Sequence, residues 1–316
     1  MTAYMEHKDL SNVSISEKRI WEIADGVHRV MEEIDRASAA AGRHPDDVTL
    51  LAATKTRDVG EIMAAIAAGV RMIGENRPQE VVAKAKGLRR FCARRGLWLG
   101  RADDGKALAG GVSPAGDGAS VSNGSVSNGS RAADVNTAAD VNAAAIAAAQ
   151  EGHLRRIPFH LIGQLQANKI GKVLPFVDTV ESVDSLESAE RLNRRAQARG
   201  IVVDAFLEVN ESGEAAKSGC SPQEAIDLAM RIAALGSVRL TGLMTVGAHV
   251  DDEHVIRAGF AHLRSIRDAV VSSGEQGAGS CRELSMGMTH DLGMAIAEGS
   301  TIVRVGTAIF GPRAFV

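Results

Sequence analysis

Two hydrophobic rhythms alternate along this chain. Short runs rich in Val, Ile, Leu and Thr occupy residues 48–55, 70–76, 159–163, 179–183, 202–210, 240–246, 283–287 and 301–310. Each reads as a buried strand of a parallel sheet. Between them, apolar residues recur at three- and four-residue spacing over 59–68, 78–88, 168–174, 186–199, 222–235, 252–272 and 290–297, which predicts helices. A further helix is predicted at 16–41, where Ile20, Ile23, Val27, Val30 and Ile34 form a stripe, Ser16 stands at the N-cap, and Gly42 and Pro45 stop the pattern. Eight strands with helices between them predict an α/β fold, a closed (β/α)8 TIM-type barrel in a single domain. An open doubly wound sheet is the competing arrangement. Because the sequence stops at Val316, no helix is expected after the last strand, and helix 16–41 is expected to close the barrel by covering the last interstrand groove.

Composition narrows the class of function. The net charge is −3 and aromatic residues make up 3% of the 316 residues, so there is no basic or stacking footprint for nucleic acid. No apolar run reaches the roughly 20 residues of a membrane helix, and residues 1–10 lack the apolar centre of a signal peptide. Cys92, Cys220 and Cys281 are scattered, without CxxC spacing, which points to a reducing cytoplasm and away from disulfides or zinc. Residues 1–15 read as a flexible tail, and 16–316 as the barrel. The stretch 100–150 is Gly, Ser, Ala, Asn and Asp with the near-repeat at 122–130; it reads as a disordered surface insertion.

The candidate chemistry collects at strand ends. In the run 48–55, Thr49, Leu51, Ala53 and Lys55 share one face and Val48, Leu50, Ala52 and Thr54 the other. Lys55 thus stands at the carboxyl end of a buried strand, where barrels keep their active sites. Partial desolvation favours its neutral amine, a nucleophile toward aldehydes. Taken alone, the run is better explained by a strand-ending lysine that snorkels into water. The seventh and eighth strands change that balance. Ser285, Gly287, Gly306 and Thr307 offer glycine-plus-hydroxyl loops where barrels commonly hold a phosphate. Arg304 shares a face with Ile302 and Gly306, opposite Val303 and Val305, so it should point into the barrel. There it needs acceptors, either Glu181 or Glu208 in an ion pair or a ligand. An amine, a phosphate nest and an inward arginine together suit pyridoxal 5′-phosphate (PLP).

Motifs in order along the chain carry a resemblance. They are the segments 51–56 (LAATKT), 74–76 (GEN), 159–169 (FHLIGQLQANK), 208–210 (EVN), 217–219 (KSG), 242–245 (GLMT), 285–288 (SMGM) and 304–311 (RVGTAIFG). With these the chain resembles the YggS/PROSC family of PLP-binding homeostasis proteins, whose fold is similar to the N-terminal barrel of alanine racemase. The resemblance implies that Lys55 forms the internal aldimine, that Ser285, Gly287, Gly306 and Thr307 hold the phosphate, that Arg304 faces the pyridine nitrogen, and that Asn76 lies beside the cofactor. It implies a role in intracellular PLP homeostasis without catalytic turnover, with PLP-requiring apo-enzymes as partners; a monomer is expected. Two departures from the family are the long segment between Leu88 and Ile157, and Val246-Gly247-Ala248 after Thr245, where relatives commonly carry proline.

The alternative is a PLP-dependent amino-acid racemase. It needs a second base, and the sequence offers only Tyr4 in the tail, Cys220, His160 or His290, none specified by its surroundings. An aldolase-type barrel using Lys55 would leave Arg304 without a role. His160 reads as a satisfied core histidine, and His249, Asp251, Asp252, Glu253 and His254 as the solvated start of a helix, so no metal site is expected.

Overall fold

Helix α1 (Glu17–Ala40) begins where Ser16 accepts a hydrogen bond from the Arg19 N–H, and it buries the stripe Ile23, Val27, Val30 and Ile34. The computed structural model describes residues 9–101, 155–214 and 218–312. After α1 come β1 (Thr49–Ala53), α2 (Val59–Ala67), β2 (Met72–Glu75) and α3 (Pro78–Ala93). Two short strands follow, β3 (Leu97–Leu99) and β4 (Arg155–Ile157), then β5 (Phe159–Leu161), α4 (Ile170–Val173), β6 (Thr179–Val183) and α5 (Leu186–Gln197). The chain continues through β7 (Val203–Glu208), α6 (Ala225–Ala233), β8 (Val238–Met244) and α7 (Glu253–Ser272). It ends in β9 (Glu283–Ser285), α8 (Leu292–Ala297), β10 (Ile302–Val305) and α9 (Thr307–Phe310).

Eight parallel strands close into a barrel in the order β1-β10-β9-β8-β7-β6-β5-β2, so the (β/α)8 expectation holds and the open sheet does not. The alternation read in 48–55 holds through Ala52, and the strand ends at Ala53, two residues before Lys55. Leu51 lies in the barrel interior with Phe206, Met244 and Ile302, while Val48, Leu50 and Ala52 belong to the core between strands and helices. Val303 and Val305 likewise face the helices and Ile302 the interior, which sends Arg304 inward.

Three expectations need correction. The last strand stops at Val305, and residues 307–310 form a helical turn in which the Ile309 and Phe310 N–H groups return to the Gly306 carbonyl. The chain therefore does have a terminal helix, and the β-branched appearance of 301–310 concealed the break at Gly306. Second, β3 pairs in parallel with β4 as a separate two-stranded sheet at the amino-terminal end of β5; at three residues each, these strands fall below the length at which alternation can be read. Third, the start of the proposed insertion is structured: the Gly100 N–H donates to the Ile157 carbonyl and the Arg101 N–H to Phe176. The remainder of the insertion, 102–154, lies outside the described residues, as do 1–8 of the tail.

Helix α1 does cover the seam. Arg19 donates to Glu61 of α2 at 2.6 Å and to the Phe310 carbonyl of α9 at 2.8 Å. A Cβ on Gly26 would sit 2.6 Å from the Ile309 carbonyl, so the absence of a side chain there is what lets α1 lie against α9. Closure thus joins the first helix to the turn that carries Thr307.

Candidate functional site

β1 ends at Ala53, and Lys55 stands in the turn that follows, partly exposed at the carboxyl mouth of the barrel. On one side β1 pairs with β10, Leu51 opposite Arg304 and Ala52 opposite Val305; on the other it pairs with β2, Ala53 opposite Gly74. The loops carrying Lys55, Asn76, Gly306 and Thr307 are therefore neighbours by register. A Cβ on Gly306 would lie 3.1 Å from the Ala53 carbonyl, a measure of how closely the two loops approach. β9 completes the rim: the Arg304 N–H donates to the Gly287 carbonyl at 2.9 Å. Gly287 has φ +96°, and a Cβ there would meet Ala295 at 2.6 Å, so this turn requires glycine. All seven candidate residues, Lys55, Asn76, Ser285, Gly287, Arg304, Gly306 and Thr307, lie on four strand ends that are consecutive around the ring.

Arg304 does not form a direct ion pair with either glutamate. Its guanidinium donates to Ser285 Oγ at 2.7 Å and to the Thr245 carbonyl at 2.6 Å. Ser285 Oγ donates a hydrogen bond to Glu181 Oε2 at 2.6 Å, and Glu181 Oε1 meets His160 Nδ1 at 2.6 Å. A continuous polar chain, Arg304–Ser285–Glu181–His160, thus crosses the interior just above the apolar layer. Burial pulls the Arg304 guanidinium below its ordinary value, opposed by the charges of Glu181, Asp291 and Glu208. Burial also acts to raise Glu181, but the hydrogen bond and charge of His160, the charge of Arg304 and the Ser285 hydroxyl hold it below the usual carboxylate range. His160 is thereby a satisfied interior histidine. The helix start at His249–His254 is as read: Asp252 caps α7 by accepting the His254 N–H.

Behind the mouth lies a cluster that sequence reading missed. Lys84 of α3 is fully buried, with Glu75 at 2.8 Å and Glu80 at 3.1 Å. The signal was present: Lys84 falls on the stripe Val81, Ala85, Leu88, Cys92 that α3 turns inward, so a cation sits where the pattern calls for an apolar residue. Arg57 was missed as well. It is buried, lies over the Phe310 ring at 5.5 Å and donates to the Gly311 carbonyl, tying the Lys55 turn to α9.

The residues present suit a ligand with an aldehyde, an acidic group and a ring nitrogen. A primary amine, glycine-lined turns and a guanidinium belong to neighbouring strand ends at the carboxyl end of the barrel. Asn76 Oδ1 is buried and has no hydrogen-bond partner among the described residues, an acceptor left without a donor at the rim. Ser285 is the tightest fit: it is fully buried with its hydroxyl already shared between Arg304 and Glu181.

Residues 32–314 match the family described as alanine racemase, N-terminal domain. The pyridoxal phosphate homeostasis protein of Pseudomonas aeruginosa is 31% identical over 293 residues, covering 92% of this chain and 96% of that protein. The crystal structure of an unknown protein from Bifidobacterium adolescentis is similar with a TM-score of 0.79 at 55% identity, over 96% of this chain and 100% of the other. PipY of Synechococcus elongatus, in its structure with PLP bound, is similar with a TM-score of 0.57 at 26% identity, over 88% of this chain and 99% of the other.

Proposed function

The chain belongs to the alanine racemase N-terminal-domain family and, within it, to the pyridoxal phosphate homeostasis proteins; on that premise we propose that it binds PLP at the carboxyl mouth of its barrel and holds it for PLP-requiring apo-enzymes. The observation that carries this reading is the convergence of Lys55, Asn76 and Arg304 with the Gly287 and Gly306 turns on consecutive strand ends, with Asn76 Oδ1 still wanting a donor. Bound, the cofactor supplies an aldehyde for covalent attachment and an electron-accepting ring.

Lys55 provides the amine that anchors the aldehyde carbon. Gly287, Gly306 and Thr307 offer backbone and hydroxyl donors to the phosphate. Ser285 would join them if its hydroxyl turned from Glu181, which would keep His160. Arg304 would be the residue to face the ring nitrogen, and a cation there would disfavour protonation of that nitrogen and so weaken the ring as an electron sink. Asn76 lines the side of the pocket. The three thiols Cys92, Cys220 and Cys281 are unpaired, in keeping with a cytoplasmic protein, and no helix among the described residues is long and apolar enough to cross a membrane.

Storage is favoured over racemisation because, among the described residues, none of the candidates for a second base is poised for that role. The Cys220 thiol is pushed up to about 12 by burial and by the charge of Glu224, so it stays protonated at neutral pH. His160 is held by Glu181, and His290 is exposed on the rim. Tyr4 lies outside the described residues. The purified protein is expected to show the visible absorbance of a lysine-linked cofactor, with borohydride fixing it on Lys55. Lys55→Ala is expected to abolish the band and keep the fold. Label recovered on another lysine refutes the assignment, and alanine inversion that scales with protein and vanishes in Lys55→Ala refutes the storage role.

A further inference from the structure

Between β2 and α3, on the helix side of the barrel wall, Lys84 Nζ is within 3.1 Å of three oxygens: the Thr54 carbonyl at 2.9 Å, Glu75 Oε1 at 2.8 Å and Glu80 Oε2 at 3.1 Å. The same two carboxylates reach the Lys55 turn directly. Glu75 Oε1 lies 2.6 Å from Thr54 Oγ1, and Glu80 Oε2 accepts the Thr56 N–H at 2.8 Å. Both neighbours of Lys55 are thus gripped, Thr54 by its carbonyl and hydroxyl and Thr56 by its amide. Thr56 is also the only non-glycine among the described residues with positive φ, at +62°. A β-branched residue occupies that region only where its surroundings impose it.

A cluster that merely neutralised buried charge would pair Lys84 with its two acids. It would not account for every remaining contact falling on the two residues that flank Lys55. We propose that Lys84, acting through Glu75 and Glu80, is the positioning residue for Lys55: it fixes the 54–56 turn from outside the wall, so that the amine is aimed into the mouth before any ligand arrives. The charge state agrees. Burial pushes Glu75 up to about 8 against the pull of Lys84. Burial also acts to raise Glu80, but the hydrogen bond from Glu75, the charge of Lys84 and the Thr56 amide hold it down. The two acids are thus driven apart, Glu75 toward its protonated form and Glu80 toward its carboxylate, which spares the cluster a pair of like charges. Alternation supplies the geometry: Ala52 and Thr54 face the helices while Leu51 faces the interior, so a clamp on the Thr54 side steers Lys55 without entering the pocket.

The inference rests on Lys55 being the PLP anchor, and the test separates the two. Lys84→Met keeps an unbranched side chain one atom shorter and removes the charge and donors. It is expected to raise the dissociation constant for PLP at least ten-fold and to displace the pH midpoint of the visible band. In the apo protein it should speed amide hydrogen exchange at Thr56 at least ten-fold, with exchange in the core strands unchanged. A folded Lys84→Met with wild-type affinity, band midpoint and Thr56 exchange overturns the proposal. Should Lys84→Met fail to fold, Glu80→Met, which removes only the acceptor for Thr56 and one of three partners of Lys84, is read by the same measurements, and wild-type values there overturn it equally. If wild type itself carries no label on Lys55, the storage reading has failed, while Thr56 exchange in the apo protein still decides the positioning role.

Discussion

Two glutamates inside one barrel are driven in opposite directions by what surrounds them. Glu181 has His160, Arg304 and the Ser285 hydroxyl, and stays ionised despite burial. Glu208, 8% exposed at the end of β7, is pushed up to about 7 by burial and then by the charge of Asp184, with the charge of Arg304 only partly offsetting them. An acid whose folded value lies above its unfolded 4.5 binds its proton more tightly in the native state. Its contribution to stability is therefore complete below pH 4.5 and is lost as pH rises through about 7. Glu208→Gln removes the ionisation. In the apo protein it is expected to match wild type near pH 4 and to be the more stable at pH 8, by up to about 3 kcal/mol, because a tenfold change in proton affinity is worth about 1.4 kcal/mol. Urea midpoints at the two pH values check this; a gain that is equal at both, or largest at pH 4, means that Glu208 is not held protonated. Glu75 contributes in the same direction in both proteins and cancels from the comparison.

At the scale of elements, closure of the barrel and construction of the site are one event, because α1 lies on the turn that carries Thr307. Gly26 is the point of contact: a Cβ there would meet the Ile309 carbonyl at 2.6 Å and the Ala308 carbonyl at 2.8 Å, both backbone atoms that yield only if α9 moves. Gly26→Ala gains about 1 kcal/mol of helix propensity but incurs an overpacking cost of about 1–3 kcal/mol, so a net loss of stability is expected, together with weaker PLP binding as α9 is displaced. Urea unfolding and cofactor titration decide it, and a more stable protein with unchanged affinity would show that α1 and α9 are not coupled. The sequence made α1 legible, because its stripe of Ile23, Val27, Val30 and Ile34 is long and its Ser16 cap is local. It made β10 only half legible, because Gly306 ends the strand through φ and ψ that no hydropathy pattern records. β3 and β4 were illegible for want of length: their pairing depends on residues more than fifty positions apart.

The whole molecule separates chemistry from tolerance by placing them at opposite ends of the barrel. Strand periodicity sends Arg304 inward and puts Lys55 at the carboxyl end of β1, whereas Asn76 entered only through the family motifs. The Lys84 cluster was only half legible: the α3 stripe marks Lys84 as a buried cation, but its partners Glu75 and Thr54 lie on β2 and just after β1, which the helix pattern does not reach. At the other end, β4 leads through Pro158 into the start of β5, Arg156 pairs with Asp178 just before β6, and Arg101 donates to the Val202 carbonyl just before β7. The segment 102–154 is therefore attached at the amino-terminal end, away from Lys55. In register, Leu97 faces Arg155 and Leu99 faces Ile157, so the two attachment points are a few residues apart in space. About ten Gly/Ser residues suffice to join them, and shortening a closed loop changes its entropy only logarithmically. Replacing 102–154 with such a linker is expected to keep PLP affinity within about two-fold and unfolding cooperative. Starting the same replacement at Gly100, with serine as the first linker residue, should instead destabilise the protein. Gly100 has φ +70°, donates to Ile157, and lies where a Cβ would come within 2.0 Å of the Phe176 carbonyl, so a non-glycine cannot stand in its place. Calorimetry and cofactor titration of the two deletions distinguish these outcomes, and a ten-fold loss of affinity in the shorter deletion would mean that the excised residues reach the PLP site.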